Sequence, residues 1–174
     1  MVEPRSVDAV AAARLVVDAS AEPLVGVLVG STSDLPVMQQ AGAILERFEI
    51  PFELNVVSTH RSPDLVDEYA RLAEERGLKV IICGAGRAAH LAGSVAARTI
   101  LPVIGVPVGT DHLGGADALY STVQMPKGVP VATVGIDGAV NAAILAAQIV
   151  AIGDEKLRVR LREFKEGLAE GFKL

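Results

Sequence analysis

Apolar and polar positions fall into alternating blocks along this chain. Short β-branched runs at 24–29, 54–58, 80–83, 103–106 and 131–136 read as strands, and longer segments with apolar residues at helical spacing lie between them. The spacing predicts helices over 34–48 and 63–76, an almost wholly apolar helix over 139–152, and a last helix over 154–172. Asp34 stands at the N-cap of the first, Pro63 at a favourable first-turn position of the second, and Gly77 where that helix must end. Repeated strand–helix–strand units imply right-handed crossovers. The expected fold class is therefore α/β: a three-layer αβα, doubly wound parallel sheet of flavodoxin-like order 2-1-3-4-5. Residues 1–23 read as an N-terminal extension and 24–174 as a single α/β domain closed by the C-terminal helix. Within the extension, 7–17 reads either as a short amphipathic helix or as a mobile tail.

Composition narrows this further. The 174 residues fit one domain, and 51% hydrophobic residues with only 3% aromatics require an interior of Val, Ile, Leu and Ala. A net charge of −5 argues against nucleic acid as a partner, so any phosphate must be held by a local positive site. The lone Cys83 lies in an apolar strand and reads as a small core residue, compatible with a reducing cytoplasm. Charged residues scattered through the first 23 positions interrupt any signal-peptide core, and a cytoplasmic location is expected. The helix at 139–152 is shorter than the roughly 20 residues that span a bilayer and carries Asn141 and Gln148, so no membrane partner is expected.

In an open α/β sheet the ligand sits beyond the carboxyl ends of the strands, where strand order reverses. Three polar loops should meet there: 30–34, 58–63 and 84–90. Ser31 and Ser33 open a helix and read either as caps or as anion ligands. His60 supplies a proton carrier and Arg61 a permanent charge, unless both are plain loop residues. Gly84 and Gly86 suit a tight turn with or without a ligand. His112, ahead of Gly114 and Gly115, falls in a loop with no evident chemistry.

Five motifs in order then resemble one family: Gly30-Ser31-x-Ser33-Asp34, Ser58-x-His60-Arg61-x-Pro63, Gly84-Ala85-Gly86-x-Ala88-Ala89-His90-Leu91-x-Gly93, Pro102-Val103-Ile104-Gly105-Val106-Pro107 and Gln124-Met125-Pro126-x-Gly128-Val129-Pro130-Val131-Ala132-Thr133. They are similar to the class I N5-carboxyaminoimidazole ribonucleotide mutases of purine biosynthesis, over roughly 25–148, with the extension and last helix outside. The resemblance implies a cofactor-free, metal-free transfer of a carboxylate from the exocyclic nitrogen to ring carbon 4 of a phosphorylated aminoimidazole ribonucleotide. It implies that His60 gives and later takes the proton. Ser31 and Arg61 would hold the 5′-phosphate and Asp34 the ribose. The 85–90 loop, with backbone amides and His90, would enclose the carboxylate or CO2. The implied substrate-binding set is Ser31, Ser33, Asp34, Ser58, Arg61, Ala85, Gly86, Arg87, Ala88 and Leu91, and the implied catalytic pair is His60 and His90.

The chain departs from the family pattern at Thr59, Ser62, Arg87 and Ala92, where the family has Ala, Thr, Gly and Pro. Arg87 adds a guanidinium to the carboxylate loop, either to meet the carboxylate or to stabilise the loop through an acidic neighbour. Arg87, like Gly115-Ala116-Asp117 further on, resembles the class II relatives, which carboxylate aminoimidazole ribonucleotide directly with CO2, whereas His90 after Ala88-Ala89 is class I in character. A class II carboxylase, a paralogue acting on a related nucleotide, and a non-catalytic nucleotide-binding protein stay open beside the mutase. The resemblance also implies a homo-octamer, and the apolar helix at 139–150 independently calls for burial on more than one side.

Overall fold

The central strand Val25–Val29 (β2) is buried at every position, as a strand with helices on both faces must be. In the computed structural model of the protein, the residues described are 15–19, as backbone, and 22–172. After β2 the chain runs through helix Leu35–Arg47 (α1), strand Phe52–Val56 (β3), helix Pro63–Leu72 (α2), strand Val80–Gly86 (β4), helix Leu91–Ala96 (α3) and strand Val103–Val108 (β5). Helix Ala116–Val123 (α4), the two-residue strand Ala132–Thr133 (β6) and helices Ala139–Val150 (α5) and Glu155–Ala169 (α6) complete it. Strand Leu15–Ala19 (β1) precedes them.

The sheet order is β1-β3-β2-β4-β5-β6, and every neighbouring pair is parallel except β1 with β3. Counted from β2, the five parallel strands stand in the expected order 2-1-3-4-5. Both readings of 7–17, the amphipathic helix and the mobile tail, meet a correction at 15–17, because Leu15–Ala19 is an antiparallel edge strand; residues 7–14 lie outside the described residues.

Side chains alternate across the sheet, which divides the core into two layers. Val25, Val27, Leu54, Ile82 and Ile104 face α1, α5 and α6, while Leu28, Ile81 and Cys83 face Val66, Tyr69, Leu91 and Val95 of α2 and α3. Gly84 belongs to this packing. A Cβ there would come within 2.3 Å of Met38 Sδ, so the missing side chain lets α1 lie against the sheet. The segment expected as a loop from 84 therefore begins only after Gly86, where β4 ends.

Other boundaries moved for identifiable reasons. Regular α2 stops at Leu72 and the chain continues in turns to Gly77, whose φ of +90° is the left-handed conformation expected at a helix end. The strand expected over 131–136 is cut to two residues: the chain turns away through Asp137, which has φ +55° and accepts a 2.8 Å hydrogen bond from the Gly109 amide. Asp34 occupies the N-cap position of α1 without making a side-chain cap bond. The apolar α5 is covered within the chain by α1, α6 and the sheet, and Asn141 and Gln148 face outward.

Candidate active site

The carboxyl ends of β2, β3 and β4 carry the three loops to one cleft of about 300 Å³. Its walls are formed by Gly30, Ser31 and Asp34 from the first, Ser58 to Arg61 from the second, and Ala85, Gly86, Ala88, His90 and Leu91 from the third. Of the residues singled out in the sequence, ten of the cleft's lining set are Ser31, Asp34, Ser58, His60, Arg61, Ala85, Gly86, Ala88, His90 and Leu91. Ser33 and Arg87 are not brought to the wall, and neither is His112, an exposed residue two positions beyond Thr110.

The first loop is a turn of 3-10 helix, Thr32–Asp34, capped by Ser31, whose Oγ accepts from the Ser33 amide at 3.4 Å. The Ser33 hydroxyl lies 2.9 Å from Ser31 Oγ and 3.0 Å from Asp34 Oδ1. Its one proton serves one acceptor at a time, so Ser33 orients both groups that do face the cleft. Asp34 is buried, Ser31 half-buried.

The second loop is closed by its own first residue. The Ser58 carbonyl accepts from the Ser62 amide at 2.8 Å and Ser58 Oγ from the Arg61 amide at 3.3 Å, which turns His60 and Arg61 outward. Arg61 Nη2 donates to the Gly30 carbonyl at 3.1 Å. That bond fixes the guanidinium across the mouth of the first loop and leaves its other donors available for an oxyanion. Gly30 and Thr59 were absent from the expected site set. Gly30 supplies a backbone carbonyl, which no side-chain pattern signals.

His60 and His90 stand ring to ring. His60 Nε2 and His90 Nδ1 are 2.8 Å apart, with the rings nearly perpendicular at 80° and their centres 5.0 Å apart. One nitrogen of the pair donates and the other accepts, which leaves His60 Nδ1 and His90 Nε2 as the outer positions of a two-ring path for a proton. His90 occupies the N-cap position of α3 without making a side-chain cap bond, so its ring is free to meet His60. Charge, hydroxyls, a carboxylate and a linked imidazole pair thus share one small cleft, the inventory of a site that binds an anionic, hydroxylated ligand and moves protons on it.

Residues 24–171 match the family model described as AIR carboxylase. The chain belongs to the AIR carboxylase family. The match takes in α6, which the five motifs had left outside. Among curated relatives, the N5-carboxyaminoimidazole ribonucleotide mutase of Thermotoga maritima is 59% identical over 144 residues, covering 83% of this chain and 84% of the relative. That of Pyrococcus abyssi is 55% identical over 146 residues, 84% of each chain. The phosphoribosylaminoimidazole carboxylase of Schizosaccharomyces pombe is 53% identical over 148 residues, which are 85% of this chain but 27% of that longer protein. The crystal structure of Treponema denticola PurE superposes with a TM-score of 0.77 at 31% identity, covering 85% of this chain and 92% of the other. The family likeness read from the five motifs and the flavodoxin-like fold both hold.

Proposed function

We propose that this chain is an N5-carboxyaminoimidazole ribonucleotide mutase of purine biosynthesis, an isomerase that moves a carboxylate from N5 to C4 of the imidazole. The observation that carries this reading is the His60–His90 pair, 2.8 Å apart in the cleft beside Arg61. In the first step His60 gives a proton to N5, the N–CO2 bond breaks, and CO2 and aminoimidazole ribonucleotide are left side by side. Carbon 4 then attacks CO2, and its proton passes to His60, which restores the starting protonation state. An imidazole can both give and take a proton, and the link to His90 keeps the ring oriented between the two steps. Holding CO2 beside its nucleophile is a proximity effect, worth up to about 7–11 kcal/mol in well-oriented cases.

Ser31 and Arg61 hold the 5′-phosphate in this reading, and Asp34 the ribose hydroxyls, with Ser33 orienting Ser31 and Asp34. Ser58 shapes the loop that carries His60. Ala85, Gly86, Ala88 and Leu91 enclose the base and the migrating carboxylate, and Arg87 acts from the rim. The chemistry calls for no cofactor. Residues from 24 onward form the catalytic domain and 1–23 its extension, working in the cytoplasm.

The cleft is at the small end of ligand-site volumes and open, which supports completion by a second copy in a homo-octamer. Leu113, Tyr120 and Val123, apolar yet exposed, give that contact an apolar surface. Light scattering on active protein tests the assembly, and a monomer mass with full activity removes it.

The competing reading is direct carboxylation of aminoimidazole ribonucleotide, favoured by the carboxylase name of the Schizosaccharomyces relative and by Arg87. One assay separates them. Purified protein given N5-carboxyaminoimidazole ribonucleotide should show the ultraviolet change of C-carboxylation without added bicarbonate. A requirement for bicarbonate with aminoimidazole ribonucleotide assigns the carboxylase, and turnover of neither points to a related nucleotide or to binding alone.

A further inference from the structure

The turn between β4 and α3 carries an unusual residue. Arg87 has φ +56°, a left-handed conformation that strains a residue with a Cβ, and glycine would fit there without strain. Its side chain is exposed and makes no hydrogen bond or ion pair with any described residue. The backbone of the turn nevertheless lies beside α4: the Ser121 hydroxyl, which donates to the Asp117 carbonyl at 2.6 Å, is 3.4 Å from the Arg87 carbonyl. Asp117 and Ser121 are four residues apart and share one face of α4, the face turned to Arg87. Asp117 Oδ1 on that face is sealed from water with no hydrogen-bond partner. The Arg87 backbone thus lies beside the helix face that carries the buried, unmatched Asp117 oxygen, while its guanidinium is exposed and unmatched.

We propose that Arg87 and Asp117 form a latch: the guanidinium turns from solvent to the Asp117 carboxylate and pins the β4–α3 turn, with Ala88 and His90, against α4 when the cleft is occupied. Asp117 is then a positioning residue that acts through Arg87. The pairing accounts for a strained arginine where glycine is cheaper, and for a carboxylate held on α4 at the cost of an unsatisfied oxygen. The latch rests on the proposed mutase reading only for its kinetic readout.

Two measurements test it on the full chain. Amide hydrogen exchange of residues 86–91 with nucleotide bound should rise to a similar extent in Arg87→Ala, Asp117→Asn and the double variant, because each breaks the same pair. With N5-carboxyaminoimidazole ribonucleotide, each single variant should raise KM about fivefold with little change in kcat, and the double variant should be no worse than either. The exchanged pair, Arg87→Asp with Asp117→Arg, should recover part of the loss seen with Asp117→Arg alone. Additive KM effects, or an exchanged pair no better than Asp117→Arg, overturn the latch. Should the Asp117 variants fail to fold, Arg87→Ala decides alone, since unchanged exchange at 86–91 refutes it. Loss of mutase turnover in the wild type would refute the function, while the exchange data would still judge the latch.

Discussion

Two arginines at opposite ends of the sheet show how one residue type is consumed in a buried ion pair in one place and keeps most of its donors free in the other. Arg76, in the turn after α2, donates two hydrogen bonds to the Glu53 carboxylate, at 2.9 and 2.5 Å, and lies 5.4 Å from the Tyr69 ring. Burial opposes its charge, but the hydrogen bond and attraction of Glu53 outweigh that and hold the guanidinium above its ordinary pKa. Arg61, by contrast, is exposed at the carboxyl edge and spends one nitrogen on a backbone carbonyl. Arg76 with Glu53 ties strand β3, which lies between β1 and β2, to the turn after α2. Arg61 keeps donors unspent, which a structural role would not require.

Replacing His60, the proposed proton carrier, should cut deepest. His60→Asn is expected to reduce turnover by about 10²–10⁴-fold. Nucleotide binding should stay within about tenfold and the unfolding midpoint should hold, since His60 is exposed and supports no core contact. Near wild-type rates would take His60 out of the mechanism.

At the other end the effect belongs to stability. Glu53→Leu strands Arg76 in a site where its side chain is only 17% exposed, and should cost about 3–5 kcal/mol in a urea titration. Adding Arg76→Met should recover most of that, because an apolar pair is a workable substitute once neither charge is buried alone. No loss in the single variant would mean that the pair is ornamental.

Arg61→Ala should weaken binding of the phosphorylated nucleotide by about 1.5–3 kcal/mol while stability changes little. Titrations with the dephosphorylated nucleoside sharpen the contrast. Its affinity should be the same for wild type and variant, and an equal loss for both ligands would move Arg61 off the phosphate.

Most of the fold was legible because alternating β-branched runs and helical spacings report burial directly, and an all-parallel order leaves few connections to choose from. The loops at 30–34 and 58–63 were legible because hydroxyls, His and Arg at strand ends have few structural uses. Helices α3 and α4 were not read, being six and eight residues of small side chains with weak periodicity. Strand β1 was missed because antiparallel pairing at a sheet edge leaves no distinct pattern in a segment also compatible with a helix. Gly84 was read as loop material although its purpose is to admit Met38, a contact 46 positions away in the chain.

Local sequence determined what is local: the strands, the longer helices, the turn at Gly77, and which loops carry the imidazoles, the guanidinium and the hydroxyls. Tertiary structure alone decided what depends on distances between loops far apart in sequence. It set His60 against His90 across 30 residues, directed Arg61 to the Gly30 carbonyl, and left Ser33 and Arg87 outside the cleft lining. The physical reason is that periodicity encodes which face of an element is buried, whereas the meeting of two side chains depends on how whole elements pack, and packing sums contacts spread over the entire chain.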